Sequence, residues 1–136
     1  MRLLILTHER SGGMSLLNWL GRELGLNSYH EPFNNPIKPL DILTLDNIIV
    51  KDFPFRIVEK GFNVGDVISK FDKVIIHNRG SHRDVAISLS YFEVTNNGNK
   101  MHVPYKVDDE WIKENESEIE KMMDVTRIMF YTIQNI

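Results

Sequence analysis

The residue types that bind an anion are concentrated in one short segment near the N-terminus. Within six positions this segment offers a guanidinium, two hydroxyls and two glycines, in the order Arg10-Ser11-Gly12-Gly13-Met14-Ser15. Glycines allow backbone N–H groups to point at a ligand, and a helix that begins there adds the positive end of its dipole. The segment therefore predicts a phosphate or sulfate site, with a simple strand-to-helix turn and an exposed arginine as the alternative.

The glycine spacing differs from that of the nucleoside triphosphatase phosphate loop. That loop reads G-x-x-x-x-G-K-[ST], with a lysine directly after its second glycine. Here Met14 follows Gly13, so the lysine is absent. A magnesium-dependent kinase is therefore disfavoured, and a nucleotide kinase with a degenerate phosphate loop is the weakest alternative.

Polar pairs also stand at the ends of other apolar or extended segments. The four pairs along the chain are Glu9-Arg10, His30-Glu31, Lys51-Asp52 and Asn78-Arg79. The carboxyl ends of parallel strands share one edge of a sheet, and ligands of such sheets bind at that edge. We therefore expect these side chains to lie along a single rim.

The elements that would position this rim alternate between strands and helices. Continuous apolar runs are typical of strands buried on both faces of a parallel sheet. Strands are predicted at 2–7, at a short segment ending in Glu31, at 46–51 and at 72–79; helices at 14–25, 62–71, 82–94 and from Asp108 onward; and loops at 33–39 and 95–100. This order predicts an α/β fold with three α/β/α layers and a central parallel sheet, in a single domain over residues 1–136.

Capping residues support three of the predicted helix ends. Gly25 can end the first helix, because glycine adopts the left-handed conformation that follows many helices. Ser81 and Asp84 can form a capping box before the helix at 82–94. Asp108 or Asp109 can cap the last helix.

The bulk composition excludes several classes of function. The chain has 136 residues, 42% hydrophobic and 26% charged residues, a net charge of −3 and no cysteine. No broad basic surface for nucleic acid or membrane is expected from this charge. Disulfides and cysteine nucleophiles are excluded, and the short apolar run after Arg2 resembles neither a signal peptide nor a membrane span. We therefore expect a cytoplasmic protein.

The anion segment resembles the loop that binds the 5′-phosphosulfate in sulfotransferases that use 3′-phosphoadenosine 5′-phosphosulfate. Arg10-Ser11-Gly12 matches the start of that loop, and Gly13-Met14 stands where the family has two hydroxyl residues. The resemblance implies that the donor is bound by Arg10, Ser11, Gly12, Gly13, Met14 and Ser15. Either Ser15 is shifted by a one-residue insertion or one hydroxyl contact is lost, and backbone donors to the sulfonate remain in both cases.

A second segment resembles the signature that binds the 3′-phosphate in the same family. In the run from Lys73 to Ser88, Arg79 would end a strand and Ser88 would lie on the following helix. An arginine presents a planar fork to phosphate oxygens, and serine adds a short donor. The alternative is that Arg79 is solvated and Ser88 is an ordinary helix residue.

Two matches between these signatures imply catalytic roles. Tyr29-His30-Glu31-Pro32-Phe33 resembles the Glu-Pro segment of bacterial and carbohydrate sulfotransferases, which implies Glu31 as the base that takes the acceptor proton and His30 as the second choice. The alternative is a helix-capping role for either residue. Lys51-Asp52-Phe53-Pro54 is similar to a Lys-x-x-Pro segment of the family. Lys51 would then neutralise charge on the leaving phosphate beside Arg10, the principal donor, and no metal is required.

The resemblance covers residues 2 to about 94 and implies a C-terminally shortened, P-loop-like sulfotransferase fold. The implied reaction transfers a sulfuryl group to a hydroxyl or amine of a small molecule or carbohydrate. One alternative from another class is a non-catalytic module that binds adenosine 3′,5′-bisphosphate. The apolar final helix, with Trp111 and Met122-Met123, also predicts a homo-oligomer contact, because such a surface would otherwise be exposed.

Overall fold

The computed structural model describes residues 1–34, 39–96 and 107–136 of the chain. The strands are β1 (Arg2–Leu6), β2 (Asn27–His30), β3 (Ile48–Asp52) and β4 (Lys73–Ile76). The helices are α1 (Gly13–Leu24), α2 (Pro39–Ile42), α3 (Pro54–Glu59), α4 (Val64–Ile68), α5 (His82–Asn96), α6 (Asp109–Glu114) and α7 (Glu116–Gln134), and a short 3-10 helix covers Pro32–Asn34.

The chain divides into two compact units. The first contains Met1–Asn78 together with Phe130–Ile136, and the second contains Arg79–Met129. All four strands and helices α1 to α4 therefore belong to the first unit, whereas α5, α6 and most of α7 belong to the second.

The first unit is built on a four-stranded sheet in the order β2-β3-β1-β4. Every pairing is parallel, with Leu4 of β1 opposite Val50 of β3 and Val74 of β4. All five residues of β3 are buried, as the continuous apolar run at its start predicts. The predicted α/β class and the parallel sheet are confirmed.

Alternate residues of β1 face two separate hydrophobic clusters. On one face Leu3 and Ile5 pack with Leu17 of α1. On the other face Leu4 and Leu6 pack in a cluster that also holds Ile57 of α3 and Val67 of α4. Helices therefore cover both faces of the sheet, which gives the first unit three layers.

Helix α1 begins and ends at glycines in the left-handed conformation. Gly12 precedes it with φ of 85°, and Gly25 follows it with φ of 63°. The Gly25 N–H donates to the carbonyl of Arg22, a typical helix-ending bond. The predicted stop at Gly25 is confirmed.

Helix α3 was not among the predicted elements. It begins at Pro54, whose fixed φ and missing N–H suit the first position of a helix. The predicted helix over 62–71 is shorter in the structure, where α4 covers Val64–Ile68 after Asn63 accepts a hydrogen bond from the N–H of Asp66. These two short helices together connect β3 to β4.

Several predicted boundaries also shift. The strand expected to end in Glu31 ends at His30, and the strand expected to reach Arg79 ends at Ile76. The predicted single final helix is wrong, because the helix is interrupted at Asn115, between α6 and α7. The Asn115 N–H and side-chain amide both donate to the carbonyl of Trp111, which closes the end of α6.

In the second unit, the predicted Asp108 cap and the Ser81 half of the predicted capping box form. The N–H of Asp84 donates to Ser81 Oγ at 3.2 Å, and the N–H of Trp111 donates to Asp108 Oδ1 at 2.8 Å. The predicted loop at 95–100 is wrong at its start, because α5 continues to Asn96. The rest of that loop, residues 97–100, lies outside the described residues. Residues 35–38 of the predicted loop at 33–39 also lie outside them. Over the described parts of the chain, no helix has the length and apolar character needed to cross a membrane.

Candidate functional site

The carboxyl ends of β1 and β3 lie in the middle of the sheet, where the connections of the two strands diverge. The connection through α1 leaves β1 toward β2, whereas the connection through α3 and α4 leaves β3 toward β4 on the other side. Ligands of open parallel sheets bind where two neighbouring strands connect in opposite directions in this way. The carboxyl ends of β1 and β3 are therefore the place where the topology of the first unit favours a ligand.

The loop between β1 and α1 is held by its own hydroxyls. Ser11 Oγ donates to the carbonyl of His8 at 2.7 Å, and it also contacts Thr7 Oγ1. Arg10 has a φ of 57°, in the left-handed region that non-glycine residues rarely adopt. Such strain is typical of functional sites, where the surrounding structure imposes it.

Two histidines fix this loop from neighbouring positions. His77, directly after β4, has Nε2 at 2.9 Å from the carbonyl of Ser11; because a carbonyl only accepts, that nitrogen carries the proton. His8 is buried, with Nδ1 at 2.8 Å from the carbonyl of Glu9 and its ring 4.3 Å from that of Phe130. Neither histidine was assigned a role from the sequence, and the only signal for them was their position directly after the apolar runs of β1 and β4.

The predicted donor-binding residues occupy different environments within the loop and α1. Ser11 is buried and its hydroxyl is used inside the loop, whereas Ser15 is exposed in the first turn of α1. Met14 packs against the cluster of Leu3 and Ile5, so position 14 contributes an apolar contact to the fold where the family has a hydroxyl residue. Arg10 is half-buried in the same loop. Ser15 is therefore the hydroxyl of this set that solvent reaches.

Side chains at the carboxyl ends of β2 and β3, together with Arg56 of α3, converge on one carboxylate. Glu31 Oε1 lies 2.7 Å from Lys51 Nζ and 3.1 Å from His30 Nε2, and Glu31 Oε2 lies 2.7 Å from Arg56 Nη1. The parallel register pairs His30 with Lys51, which brings the predicted residues of the two strands together. Arg56 was missed because it lies on α3, and Pro54 was the signal that could have revealed that helix.

Charge pairing decides the protonation of this cluster. Burial opposes the charged form of Glu31, but the hydrogen bonds and charges of Lys51 and Arg56 outweigh it, so the pKa of Glu31 lies below its usual value. Burial also lowers the pKa of the Lys51 ammonium, and Glu31 counteracts part of that effect. Glu31 is therefore a carboxylate at neutral pH.

The backbone of Glu31 is held as firmly as its side chain. Its φ is 50°, again in the left-handed region. The Glu31 N–H donates to the carbonyl of Lys51 at 2.7 Å, and the Glu31 carbonyl accepts from the N–H of Asn34 at 3.0 Å. These bonds hold the strained residue against β3, with its carboxylate aimed at the Lys51 side chain.

Lys51 connects the carboxylate cluster to the start of α1, directly after the loop between β1 and α1. Its side chain is only 5% exposed and passes beside Gly13. A Cβ atom at position 13 would stand 3.0 Å from Lys51 Cε and 2.8 Å from Thr7 Cγ2. The absence of a side chain at Gly13 is therefore what allows the lysine to lie against the start of α1.

Gly13→Ala should displace Lys51 or Thr7, because contacts of this length are shorter than van der Waals distance. We expect a loss of unfolding free energy on the order of 1–3 kcal/mol, measured by urea denaturation. Gly80→Ala is the matched control, because nothing lies within 4 Å of a Cβ there. Equal stability of the two variants would contradict the close packing at Gly13.

Asp52 fixes the turn that carries Glu31. The Asp52 side chain is fully buried, with Oδ2 accepting from the N–H of Phe33 at 2.9 Å and Oδ1 accepting from the N–H of Phe53 at 2.8 Å. Burial raises the pKa of Asp52 to about 6, although the two backbone hydrogen bonds act in the opposite direction. Asp52 is therefore a structural carboxylate whose protonation changes near neutral pH.

The stability of the protein should depend on pH through Asp52. Because its folded-state pKa lies above the ordinary 3.8, protonation of Asp52 stabilises the fold; this contribution is complete below that value and is lost as the pH rises through about 6. Its size is on the order of 2–3 kcal/mol. Glu31 acts oppositely in a lower window, because its stabilising contribution is lost as the pH falls below 4.5.

Asp52→Asn should remove the decrease in unfolding free energy from about pH 4 to about pH 7. Chemical denaturation at a series of pH values measures this slope. Asp46→Asn changes an exposed carboxylate and should keep the slope of the unsubstituted protein. An Asp52→Asn protein that also keeps it would show that another group is responsible.

The second unit contains the remaining two predicted site residues. Arg79 lies three residues after the end of β4 and lines an open cavity of about 360 Å³ with Asp84, Ile87, Val107 and Ile112. Ser88 lies on α5, as predicted, and is buried. Arg79 is therefore beside a cavity, but it lies in the connection after β4 and not in the strand.

One further cavity lies in the first unit. It has a volume of about 490 Å³ and is lined mainly by apolar residues of α3, α4 and the end of α7, including Val58, Ile68 and Tyr131. Its lining includes none of the predicted site residues. In the described ranges, no group of three or more His, Asp or Glu residues is arranged to hold a metal ion.

Comparison of the chain with models of known families, with curated proteins and with solved structures finds no match. A functional argument for this protein therefore depends on the chemistry of its own residues.

Proposed function

We propose that the protein is a sulfotransferase that transfers a sulfuryl group from 3′-phosphoadenosine 5′-phosphosulfate to a hydroxyl or amine acceptor. The single observation that carries the proposal is the Glu31–Lys51 pair beside Gly13, which puts a carboxylate and a cation against an anion loop at the start of a helix. The reaction needs a base, a cation and hydrogen-bond donors for the anion, and the proposal finds all three at the same edge of the sheet.

Each group has a role in the proposed reaction. A new S–O bond forms to the acceptor oxygen while the S–O bond to the bridging oxygen of the phosphosulfate breaks, and that electron pair leaves with adenosine 3′,5′-bisphosphate. Glu31 takes the proton of the acceptor. Arg10 and Lys51 stabilise the charge that develops on the leaving oxygen. For an amine acceptor the new bond is S–N, with the same proton transfer.

The proposal extends to the fold. We infer a P-loop-like, C-terminally shortened sulfotransferase topology for the sheet. The all-parallel strand order supports this inference. The loop between β1 and α1 supports it too, because it follows a central strand, β1, at the carboxyl edge of the sheet.

The proposal assigns the 3′-phosphate of the donor to Arg79 and Ser88. The cavity beside Arg79 supports the assignment, because it gives the guanidinium space for a ligand. Ser88 is buried, so it can contact only a ligand group that enters the interior of the second unit. The planar fork of Arg79 would form the charge-assisted bonds.

One observation favours a second candidate, a non-catalytic module that binds adenosine 3′,5′-bisphosphate. Lys51 and Arg56 together hold the pKa of Glu31 below its usual value, although burial acts against them, and a carboxylate of low pKa is a weak base. A nucleotide kinase remains the weakest candidate, because Met14 follows Gly13 in place of the lysine.

We also propose a small-molecule or carbohydrate acceptor and a homo-oligomer contact through α7. Val125 and Ile128 on that helix are exposed, Ile128 by 68%, which supports a covered face in an assembly.

Isothermal titration of adenosine 3′,5′-bisphosphate in magnesium-free buffer tests donor binding. We expect binding in the micromolar range without any metal. Absence of binding would contradict both the sulfotransferase and the module, and magnesium-dependent binding of ATP in its place would favour the kinase.

A further inference from the structure

Both cations that hold Glu31 lie on aromatic rings, but Lys51 Nζ contacts one ring, 3.9 Å from the centroid of Phe53, whereas two rings support Arg56. Its guanidinium lies 4.8 Å from the ring centroid of Phe53 and 5.7 Å from that of Phe55. The two rings are stacked, with centroids 5.4 Å apart and an interplanar angle of 7°. A planar guanidinium on such a surface loses little freedom when it also holds a carboxylate.

Lys51 is the partner that an incoming anion can share. Its ammonium is a point charge that contacts a single ring, and its stem passes beside Gly13 at the start of α1, next to the loop between β1 and α1. It pairs with Glu31 Oε1, whereas Arg56 pairs with Oε2. The two cations of the cluster therefore hold opposite oxygens of one carboxylate.

We propose that Arg56 is the positioning residue of this site: it holds Glu31 through Oε2 while Lys51 turns from Oε1 to the bound anion, which leaves Oε1 as the oxygen that accepts the proton. This inference rests on the proposed sulfuryl transfer and deepens it. Binding of the donor at the loop then activates the base, so the donor binds before the acceptor reacts.

The geometry of Glu31 supports a fixed role for Oε2. The backbone of Glu31 is tied to Lys51 and Asn34, which fixes the origin of the side chain, and Arg56 holds the carboxylate at Oε2. In the proposed step the acceptor proton moves to Oε1, the acceptor oxygen bonds to sulfur, and the bridging S–O electron pair leaves with the bisphosphate. His30, at 3.1 Å from Oε1 and 35% exposed, remains beside the protonated oxygen.

Anion binding should therefore be visible in the titration of Glu31. The charged or titratable groups that act on this carboxylate are His30, Lys51, Asp52 and Arg56. When Lys51 turns to an anion, one of the cations that lower the pKa of Glu31 is removed. The pKa should rise by about one unit or more, because an opposite charge at this distance has an effect of that size.

The experiment follows the assigned side-chain carboxyl carbon of Glu31 by NMR over a pH series, with and without inorganic sulfate. In the unsubstituted protein, sulfate should raise the pKa of Glu31. In Lys51→Met the pKa should already be high and sulfate should not change it. The exposed Glu59 on α3 is the internal control and should not respond.

Transfer kinetics provide the second measurement. Arg56→Met should lower kcat on the order of 10- to 100-fold with the donor KM little changed, because misplacement of a catalytic group has an effect of this size. Arg56→Lys keeps the charge and should recover part of the lost rate. An unchanged kcat in Arg56→Met would overturn the positioning role.

The two proposals fail in different ways. Sulfate that binds but leaves the pKa of Glu31 unchanged would overturn the exchange of Lys51 alone. Absence of any sulfate binding would overturn the anion site of the proposed function, and this inference with it.

Discussion

Glu31→Gln should abolish sulfuryl transfer while binding of adenosine 3′,5′-bisphosphate persists. The amide cannot take a proton from the acceptor, and the loss of a positioned base lowers rates about 100- to 10,000-fold. The substitution keeps the size of the side chain, and one of its atoms can still accept from Lys51 or Arg56. Initial rates with labelled donor measure the loss, and calorimetry measures the binding.

The stability of this variant needs a separate measurement. Removal of one member of a buried ion pair leaves uncompensated charge, at a cost of about 3–5 kcal/mol when burial is complete. Circular dichroism should therefore confirm that Glu31→Gln is folded at the assay temperature. Glu59→Gln changes an exposed carboxylate on α3 and should retain full activity. A folded Glu31→Gln protein with the unsubstituted rate would assign the base elsewhere, with His30 as the next candidate.

Arg79→Ala should weaken the binding of adenosine 3′,5′-bisphosphate by about 1.5–3 kcal/mol, through the loss of one charge-assisted pair. This corresponds to an increase in Kd of about 10- to 150-fold. Arg79 lines a cavity of about 360 Å³, which offers space for a ligand beside the guanidinium. Titration of the bisphosphate measures the change directly.

Arg83→Ala is the matched control for this prediction. Arg83 lies in the same unit but is exposed and paired with Glu116, at 3.1 Å. Exposed pairs of this kind contribute little, so the variant should bind the bisphosphate normally. An Arg79→Ala protein with unchanged affinity would contradict the assignment of the 3′-phosphate to Arg79.

The parallel sheet could be predicted because β1 and the start of β3 are apolar without interruption. A strand such as β1, with helices on both faces, has no solvent side and therefore no polar alternation. The same topology made the convergence of His30, Glu31 and Lys51 predictable, since residues that follow adjacent parallel strands share one edge.

The rest of the site depends on contacts that leave no periodic signal. Helix α3 has six residues, too few to show a helical repeat, so Arg56 was missed with it. His8 and His77 contact backbone carbonyls of the loop between β1 and α1, and a backbone carbonyl is present at every residue, so the sequence does not indicate which one a histidine contacts. The interruption between α6 and α7 likewise involves a side-chain hydrogen bond, from the Asn115 amide to the carbonyl of Trp111.

Transfer from radiolabelled 3′-phosphoadenosine 5′-phosphosulfate to a panel of hydroxyl and amine acceptors tests the central claim most directly. The proposed function predicts a labelled sulfate ester or sulfamate that forms with the unsubstituted protein and Glu59→Gln but not with Glu31→Gln. Binding of the bisphosphate without transfer to any acceptor would contradict the enzyme and leave the nucleotide-binding module.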